Sequence, residues 1–199
     1  MTIPITIALT GASGAQYGLR LIECLIQRKQ NLYLLFSKAA LVVIATETDI
    51  NLPNQPKKIE EFLSHRYGAK PNQIKVFSQE QWTSPVASGS SKSDKMVICP
   101  ASSGSLASIA NGMCDNLIER AADVFLKERR QLILVHRETP LNAIHLQNML
   151  TLTNAGAVIM PASPGFYHKP TSIDDMIDFI VARILDHLGL DQDMVQPWG

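Results

Sequence analysis

Five short apolar runs, each unbroken and each closed by a turn-forming or charged residue, limit what this chain can fold into. Ile3 to Leu9 leads to Gly11, and Leu32 to Phe36 leads to Ser37. Lys95 to Cys99 stops at Pro100, Leu132 to Val135 leads to Arg137 and Glu138, and Ala157 to Met160 stops at Pro161. Ile74 to Phe77 is a sixth, less distinct candidate. Strands with one wet face alternate apolar and polar residues, whereas continuous runs suit strands covered on both faces. Helical patterns lie between the runs, from about Ala15 to Arg28, from Ser37 through Ala45, and before Leu132. Strands separated by helices imply βαβ units and a mostly parallel sheet. The expected fold is α/β, a doubly wound three-layer sandwich.

The last helix has the cleanest period: Ile173, Met176, Ile177, Ile180, Val181, Ile184, Leu185 and Leu188 recur every 3.6 residues. Ser172 and Asp175 resemble a capping box, Gly189 suits the C-terminal end, and Arg183 falls at the edge of the apolar stripe. The segment from Asn51 to Lys92 is polar, rich in proline and the least regular. The 199 residues fit one domain, residues 1–199, with a tail from about residue 190 that ends Gln196-Pro197-Trp198-Gly199. Eighteen basic residues balance eighteen acidic ones, so the overall charge makes no case for nucleic acid or an anionic membrane surface, and any anion site must be local. No apolar run approaches the roughly 18 residues of a membrane span, and the amino terminus reads as a strand instead of a signal peptide. Three cysteines without a CxxC support neither a disulfide framework nor a zinc site, and they suit a reducing cytoplasm.

Open α/β sheets place their ligands outside the carboxyl ends of the strands, and the chemistry-bearing residues gather there. Gly11, Ala12, Ser13 and Gly14 follow the first strand and open the first helix, where backbone amides and the helix N-terminus favour a phosphate. The turn is neither GxGxxG nor a P-loop, and a plain tight connection is an equal reading. Ser37 holds the same place after the second strand and also reads as an ordinary N-cap. Ser102, Ser103, Gly104 and Ser105 repeat the arrangement, and the coincidence of three such turns points to phosphate or flavin. Arg137 and Glu138 end a buried strand. Thr139 is the expected N-cap of the next helix, with Pro140 at its first position. Arg120 and Lys127 share a helix face two turns apart, so three cations and a carboxylate are expected in one crevice. Ser90 sits in the Ser88–Ser91 stretch, which reads as a solvated loop or a mobile phosphate grip. Glu47 is an ordinary helix-end acid on pattern alone, and Tyr167 lies in a rigid aromatic loop. His145 reads as a core or interface residue, and Cys99 and Cys114 read as small buried hydrophobes.

Together these pieces resemble the UbiX/Pad family of flavin prenyltransferases. The resemblance is carried by Gly11-Ala-Ser-Gly-Ala-x-Tyr-Gly18, Ser37-Lys-Ala39, Arg120-Ala-Ala-Asp-Val-x-Leu-Lys-Glu-Arg-Arg130, Arg137-Glu-Thr-Pro-Leu141, Gly156-Ala-Val-Ile-Met-Pro161 and Phe166-Tyr-His-Lys-Pro170. It runs from about Ile5 to Gly189, and the motifs are long and ordered. Departures are mild: Ala101-Ser102 stands where Cys-Ser is frequent, Ser105 where Thr is common, and Lys169 where Arg is frequent. The family belongs to a wider set of flavoproteins that includes cysteine decarboxylases.

The resemblance implies a flavodoxin-like or Rossmann-like domain and a homo-oligomer, commonly a dodecamer. It implies that reduced FMN is prenylated at N5 and C6 by dimethylallyl phosphate without metal, giving prenylated FMN for UbiD-type decarboxylases and linking the chain to ubiquinone biosynthesis. It places FMN against Gly11, Ala12, Ser13, Ser37, Ser102 to Ser105 and Arg137. It places the dimethylallyl phosphate against Tyr167, Arg183, Lys127 and Glu138, with Ser90 and Arg120 nearby. Glu47 and Trp198 match positions near the family's active site. In this scheme Lys127 and Arg183 stabilise the leaving phosphate, Glu138 acts as its general acid, which requires a raised pKa, and Tyr167 and Trp198 offer π faces to an allylic cation. Two other functions compete: an FMN-dependent decarboxylase, which would work without a prenyl donor, and a non-enzymatic flavin carrier, which would need neither Glu138 nor Lys127.

Overall fold

A computed structural model describes residues 3–196. Trp198 lies outside the described residues. Six strands, β1 (Ile5–Leu9), β2 (Leu32–Phe36), β3 (Ile74–Phe77), β4 (Lys95–Ala101), β5 (Gln131–His136) and β6 (Val158–Pro161), form one sheet in the order β3-β2-β1-β4-β5-β6. Every pairing is parallel. The order reverses between β1 and β4, which makes that junction the topological switch point. Among the described residues six α-helices lie between strands, α1 (Ala15–Gln27), α2 (Lys38–Glu47), α3 (Pro56–Tyr67), α4 (Ser103–Ala110), α5 (Leu117–Lys127) and α6 (Ala143–Asn154), and α7 (Ile173–His187) follows β6.

Two apolar layers cover the sheet, as the continuous runs require. Ile5, Ile7 and Leu9 of β1 face α1 and α7 together with Leu21, Leu25, Ile180 and Ile184. Ala8 of β1, with Ile98 and Leu134, faces the other way onto Leu106, Ala121 and Phe125 of α4 and α5. Gly18 lets α1 lie directly on β4, because a Cβ there would run into the Cys99 carbonyl and meet the Leu9 side chain at 2.8 Å.

Strand boundaries differ from the sequence reading where backbone donors decide them. β1 starts at Ile5, because Pro4 has no N–H for the ladder. β4 runs through Pro100 to Ala101, with a shift in pairing between Ile98 and Ala101, where the proline has no N–H to donate. The irregular segment contains α3, built on Ile59 and Leu63 with Pro56 at its start; two buried residues in twelve are too few for a period to stand out. Thr139 does not cap α6. The helix begins at Ala143, where Asn142 accepts from the His145 N–H at 2.9 Å in a capping box that the His145 side chain completes. Ser172 and Asp175 form the expected box at α7. Cys114 is only half-buried, unlike Cys24 and Cys99. Among the described residues no helix is long and apolar enough to cross a membrane, and no cluster of His, Cys, Asp or Glu is arranged to hold a metal ion.

Because Gly18 sits against backbone, Gly18→Ala is expected to destabilise the protein by about 1–3 kcal/mol, despite alanine's better helix propensity. Denaturant unfolding measures this; a variant as stable as the parent would show that α1 can draw back from β4.

Candidate active site

The switch point is held together by one threonine. Thr10, buried at the end of β1, donates its hydroxyl to the Pro100 carbonyl at 2.8 Å and accepts from the Ser102 N–H at 2.8 Å. Its own N–H reaches the Pro100 carbonyl at 3.2 Å. Both hydrogen-bonding roles of the hydroxyl are used, and the turns after β1 and β4 are locked side by side. Sequence reading passed over Thr10, since a threonine closing a strand carries no pattern of its own.

Three helices begin at this carboxyl edge. Ser37 caps α2 by accepting from the Ala40 N–H at 2.9 Å, which leaves its hydroxyl proton to donate. Ser102 caps α4 by accepting from the Ser105 N–H at 3.2 Å and donates to the Ser105 hydroxyl at 3.0 Å. The α1 terminus is capped from a distance: Glu47 Oε2 accepts from the Gly14 N–H at 2.8 Å and the Ala15 N–H at 3.1 Å. Gly14 supports this with φ of 100°, a left-handed conformation that favours glycine. Gly11 is needed for close approach, since a Cβ there would stand 2.6 Å from the Ala39 Cβ. Glu47 therefore serves as the N-terminal anion of α1, a role its helix-end position in the sequence does not reveal.

The electrostatics follow. Burial pushes the Glu47 carboxyl up, but hydrogen bonds from Ser13, Gly14 and Ala15 and the charge of Arg137 outweigh it and hold the pKa below the ordinary glutamate value. Arg137 Nε donates to the Ser13 carbonyl at 3.1 Å, so β5 and the first turn share one cation. Tyr17 packs against Gly14, and burial raises its phenol. Glu138 accepts from the Ser103 hydroxyl at 2.9 Å and from the Thr139 N–H at 3.1 Å. Those two bonds, then Arg137 and His145, hold it below the usual carboxylate range. The raised pKa needed for an acid role at Glu138 is thus not what its surroundings produce; they keep it ionised, fit to accept a proton.

Of the three cations expected in one crevice, Arg137 is there, but Lys127 does not join it within one chain. A helix that precedes a parallel strand runs antiparallel to it. Leu117, at the start of α5, bonds the Gln79 carbonyl just past β3, while Lys127, at its end, lies at the opposite edge of the sheet. There it pairs with Glu128 beside Gly89. Arg120 donates to the Ala87 carbonyl at 3.1 Å and pairs with Asp123. Ser90 bonds Ser88 in the same region and lines a cavity of about 690 Å³ with Lys75, Lys92 and Tyr33. Arg183 pairs with Asp186 near the end of α7 and shares a cavity of about 280 Å³ with Tyr167, Phe179 and Val195. The Tyr167 ring stands edge-on to Phe179, with centroids 5.6 Å apart.

The donor set at the switch point fits FMN. Helix N-termini and serine hydroxyls receive a phosphate, and Arg137 adds a fixed positive charge.

Residues 1–185 match the Flavoprotein family. The flavin prenyltransferase UbiX of Pseudomonas aeruginosa is 59% identical over 195 residues, which cover 98% of this chain and 93% of that protein. The crystal structure of AnUbiX in complex with FMN and dimethylallyl pyrophosphate superposes with a TM-score of 0.89 at 42% identity, covering 100% of this chain and 98% of that one. A dodecameric FMN-dependent UbiX-like decarboxylase from Escherichia coli O157:H7 superposes with a TM-score of 0.86 at 35% identity, covering 99% and 100% of the two chains.

Glu47→Ala is expected to cost about 1 kcal/mol, the usual worth of an N-cap. The sign of its pH dependence follows from the depressed pKa. The contribution is complete above the unfolded glutamate value of about 4.3 and is lost as pH falls through the lower folded value. Unfolding curves from pH 7 to pH 3 should show a gap between parent and Glu47→Ala that narrows on acidification; a constant gap would mean that the charge does not matter.

Proposed function

The chain belongs to the Flavoprotein family, and we infer that within it the protein is a flavin prenyltransferase. It joins a dimethylallyl group to N5 and C6 of reduced FMN: the allylic C–O bond breaks and phosphate leaves, C1 bonds N5 as the N5 proton departs, a proton added at C2 opens the double bond, and C3 bonds C6, which gives up its proton. The observation that carries this reading is an anion-receiving edge at the β1/β4 switch point with an ionised carboxylate, Glu138, at the adjacent strand end. It stands in a chain 59% identical to a flavin prenyltransferase over nearly its whole length. The binding of FMN and dimethylallyl pyrophosphate by a 42% identical relative supports the same substrate classes here.

Gly11, Ala12, Ser13, Ser37, Arg137 and the Ser102–Ser105 turn would hold the FMN. When bound, its reduced ring supplies the nucleophilic nitrogen and carbon. Glu138, held ionised, accepts the proton released at C6. An acid role toward the departing phosphate requires an anionic ligand beside it to raise its pKa before the C–O bond breaks. Lys127, Arg120 and Arg183 offset the phosphate's charge, Ser90 donates to it, and Tyr167 and Trp198 flank the allyl group. We take dimethylallyl monophosphate as the donor and a UbiD-type decarboxylase as the consumer of the product.

The separation of Lys127 and Ser90 from Glu138 favours a site completed by a second copy, whose amino edge meets the first copy's carboxyl edge. The dodecameric relative supports such an assembly. So do exposed apolar residues of α6, where Ile144 is 68% exposed and Leu146 and Leu150, one turn apart on another face, are each 53% exposed; such surfaces call for cover. We read residues 1–199 as one domain, and the unpaired cysteines suit the cytoplasm.

Anaerobic incubation with reduced FMN and dimethylallyl phosphate should give a flavin heavier by one dimethylallyl unit in mass spectrometry. Unmodified FMN with either phosphate form of the donor would return the protein to the decarboxylase or carrier reading. Glu138→Gln should keep FMN and lose at least about 100-fold in rate, the lower end for a proton-transfer group. For the shared site, Lys127→Ala and Glu138→Gln should each be inactive alone yet recover activity when co-assembled, because some interfaces then carry both native residues. Failure of mixed oligomers to recover would place the two groups in one chain's site.

A further inference from the structure

We propose that His136 is a positioning residue of the prenyl-transfer site, acting through the Ser103 hydroxyl to hold the Glu138 carboxylate in place. The proposal deepens the flavin prenyltransferase reading and rests on it for its functional meaning.

His136 ends β5 and is 3% exposed, a lone polar side chain after the apolar run Leu132 to Val135. Its Nε2 lies 3.3 Å from Ser103 Oγ, and Ser103 Oγ donates to Glu138 Oε2 at 2.9 Å. A serine has a single proton to give. With that proton on Glu138, Ser103 can only accept from the imidazole, so Nε2 must be the protonated nitrogen. The bonds then run in one direction, from His136 Nε2–H to Ser103 Oγ and from Ser103 O–H to Glu138. The histidine sets the rotor of the hydroxyl, and the hydroxyl sets one carboxylate oxygen. The other oxygen is held by the Thr139 N–H at 3.1 Å.

The charges around the pair agree with this order. Burial, then His145 and Arg137, disfavour the imidazolium against the opposing pull of Glu138, so the ring stays neutral with one N–H. His145 reaches it from α6, with ring centroids 6.2 Å apart. Glu138 is faced by Ser103 from α4, by its neighbours Arg137 and Thr139, and by His145. A buried imidazole needs a hydrogen-bond partner, and here the partner also touches the group that handles the proton. A histidine that merely fills the core would have no effect on Glu138.

Four single variants of the assembled protein separate the two cases: His136→Leu, which keeps bulk and loses the donor; His136→Gln, whose amide N–H can stand near Nε2 without titrating; Ser103→Ala; and Glu138→Gln as reference. The Glu138 titration is read as the carboxylate infrared difference between each protein and the Glu138→Gln reference, alongside FMN affinity and the pH profile of kcat. His136→Leu and Ser103→Ala should raise the Glu138 midpoint toward that of an ordinary glutamate and lower kcat roughly tenfold, the scale of one hydrogen bond to a charged group. FMN affinity in His136→Leu should be unchanged, and His136→Gln should restore both midpoint and kcat. An unchanged Glu138 midpoint in His136→Leu, or a His136→Gln variant as impaired as His136→Leu, would overturn the proposal. Should His136→Leu fail to fold, an unmoved midpoint in Ser103→Ala would overturn it equally. If the parent transfers no prenyl group while the midpoints move as described, the functional reading fails and the positioning of Glu138 by His136 stands.

Discussion

A parallel sheet cannot be closed by short hairpins; each strand must be followed by a crossover that returns to the same edge. When β1 pairs in register with β2 on one side and β4 on the other, its two flanking crossovers are sent to opposite faces. The turns after β1 and β4 then separate, and a crevice opens between them. The rest of the site depends on that geometry. Thr10 joins the two turns through both roles of its hydroxyl. Gly18 lets α1 press against β4, which brings the α1 N-terminus to the rim of the crevice.

Charge is then distributed locally in a chain with no net charge. The positive end of α1 is met by Glu47 from the far end of α2, and Arg137 from β5 lies over the same turn. The rim therefore has its own internal counter-ions, and the remaining donors belong to α2, α4 and Arg137. Ser103 donates its proton to Glu138, so one turn serves both the anion-receiving edge and the carboxylate.

The same handedness that gathers these residues keeps others away. α5 descends from the carboxyl edge to the amino edge before β5 climbs back, so Lys127, at its end, lies across the sheet from Arg137, while Arg120 on the same helix face bonds the Ala87 carbonyl. Reading them as one cluster with Arg137 counted periodicity along a helix but not the direction in which it runs. The direction was inferable from the βαβ pattern itself. Two copies, one presenting its amino edge to the other's carboxyl edge, reconcile the family motifs with the chain's topology.

Strands, the layers that cover them, the capping box of α7 and the strand-end places of Ser37, Ser102, Arg137 and Glu138 were all legible in the sequence, because each depends on near neighbours or on periodic burial. α3 was not, since its buried face has only Ile59 and Leu63. The start of α6 was misplaced because Thr139-Pro140 carries the right local signal, yet Asn142 with His145 makes the stronger cap. Tertiary structure alone decided that Glu47 caps a helix 33 residues away, that Thr10 joins two strands, and that His136, Ser103 and Glu138 form one chain of hydrogen bonds. Those bonds span long sequence separations, and their direction depends on where the sheet sets each strand end, which no local pattern of residue types encodes.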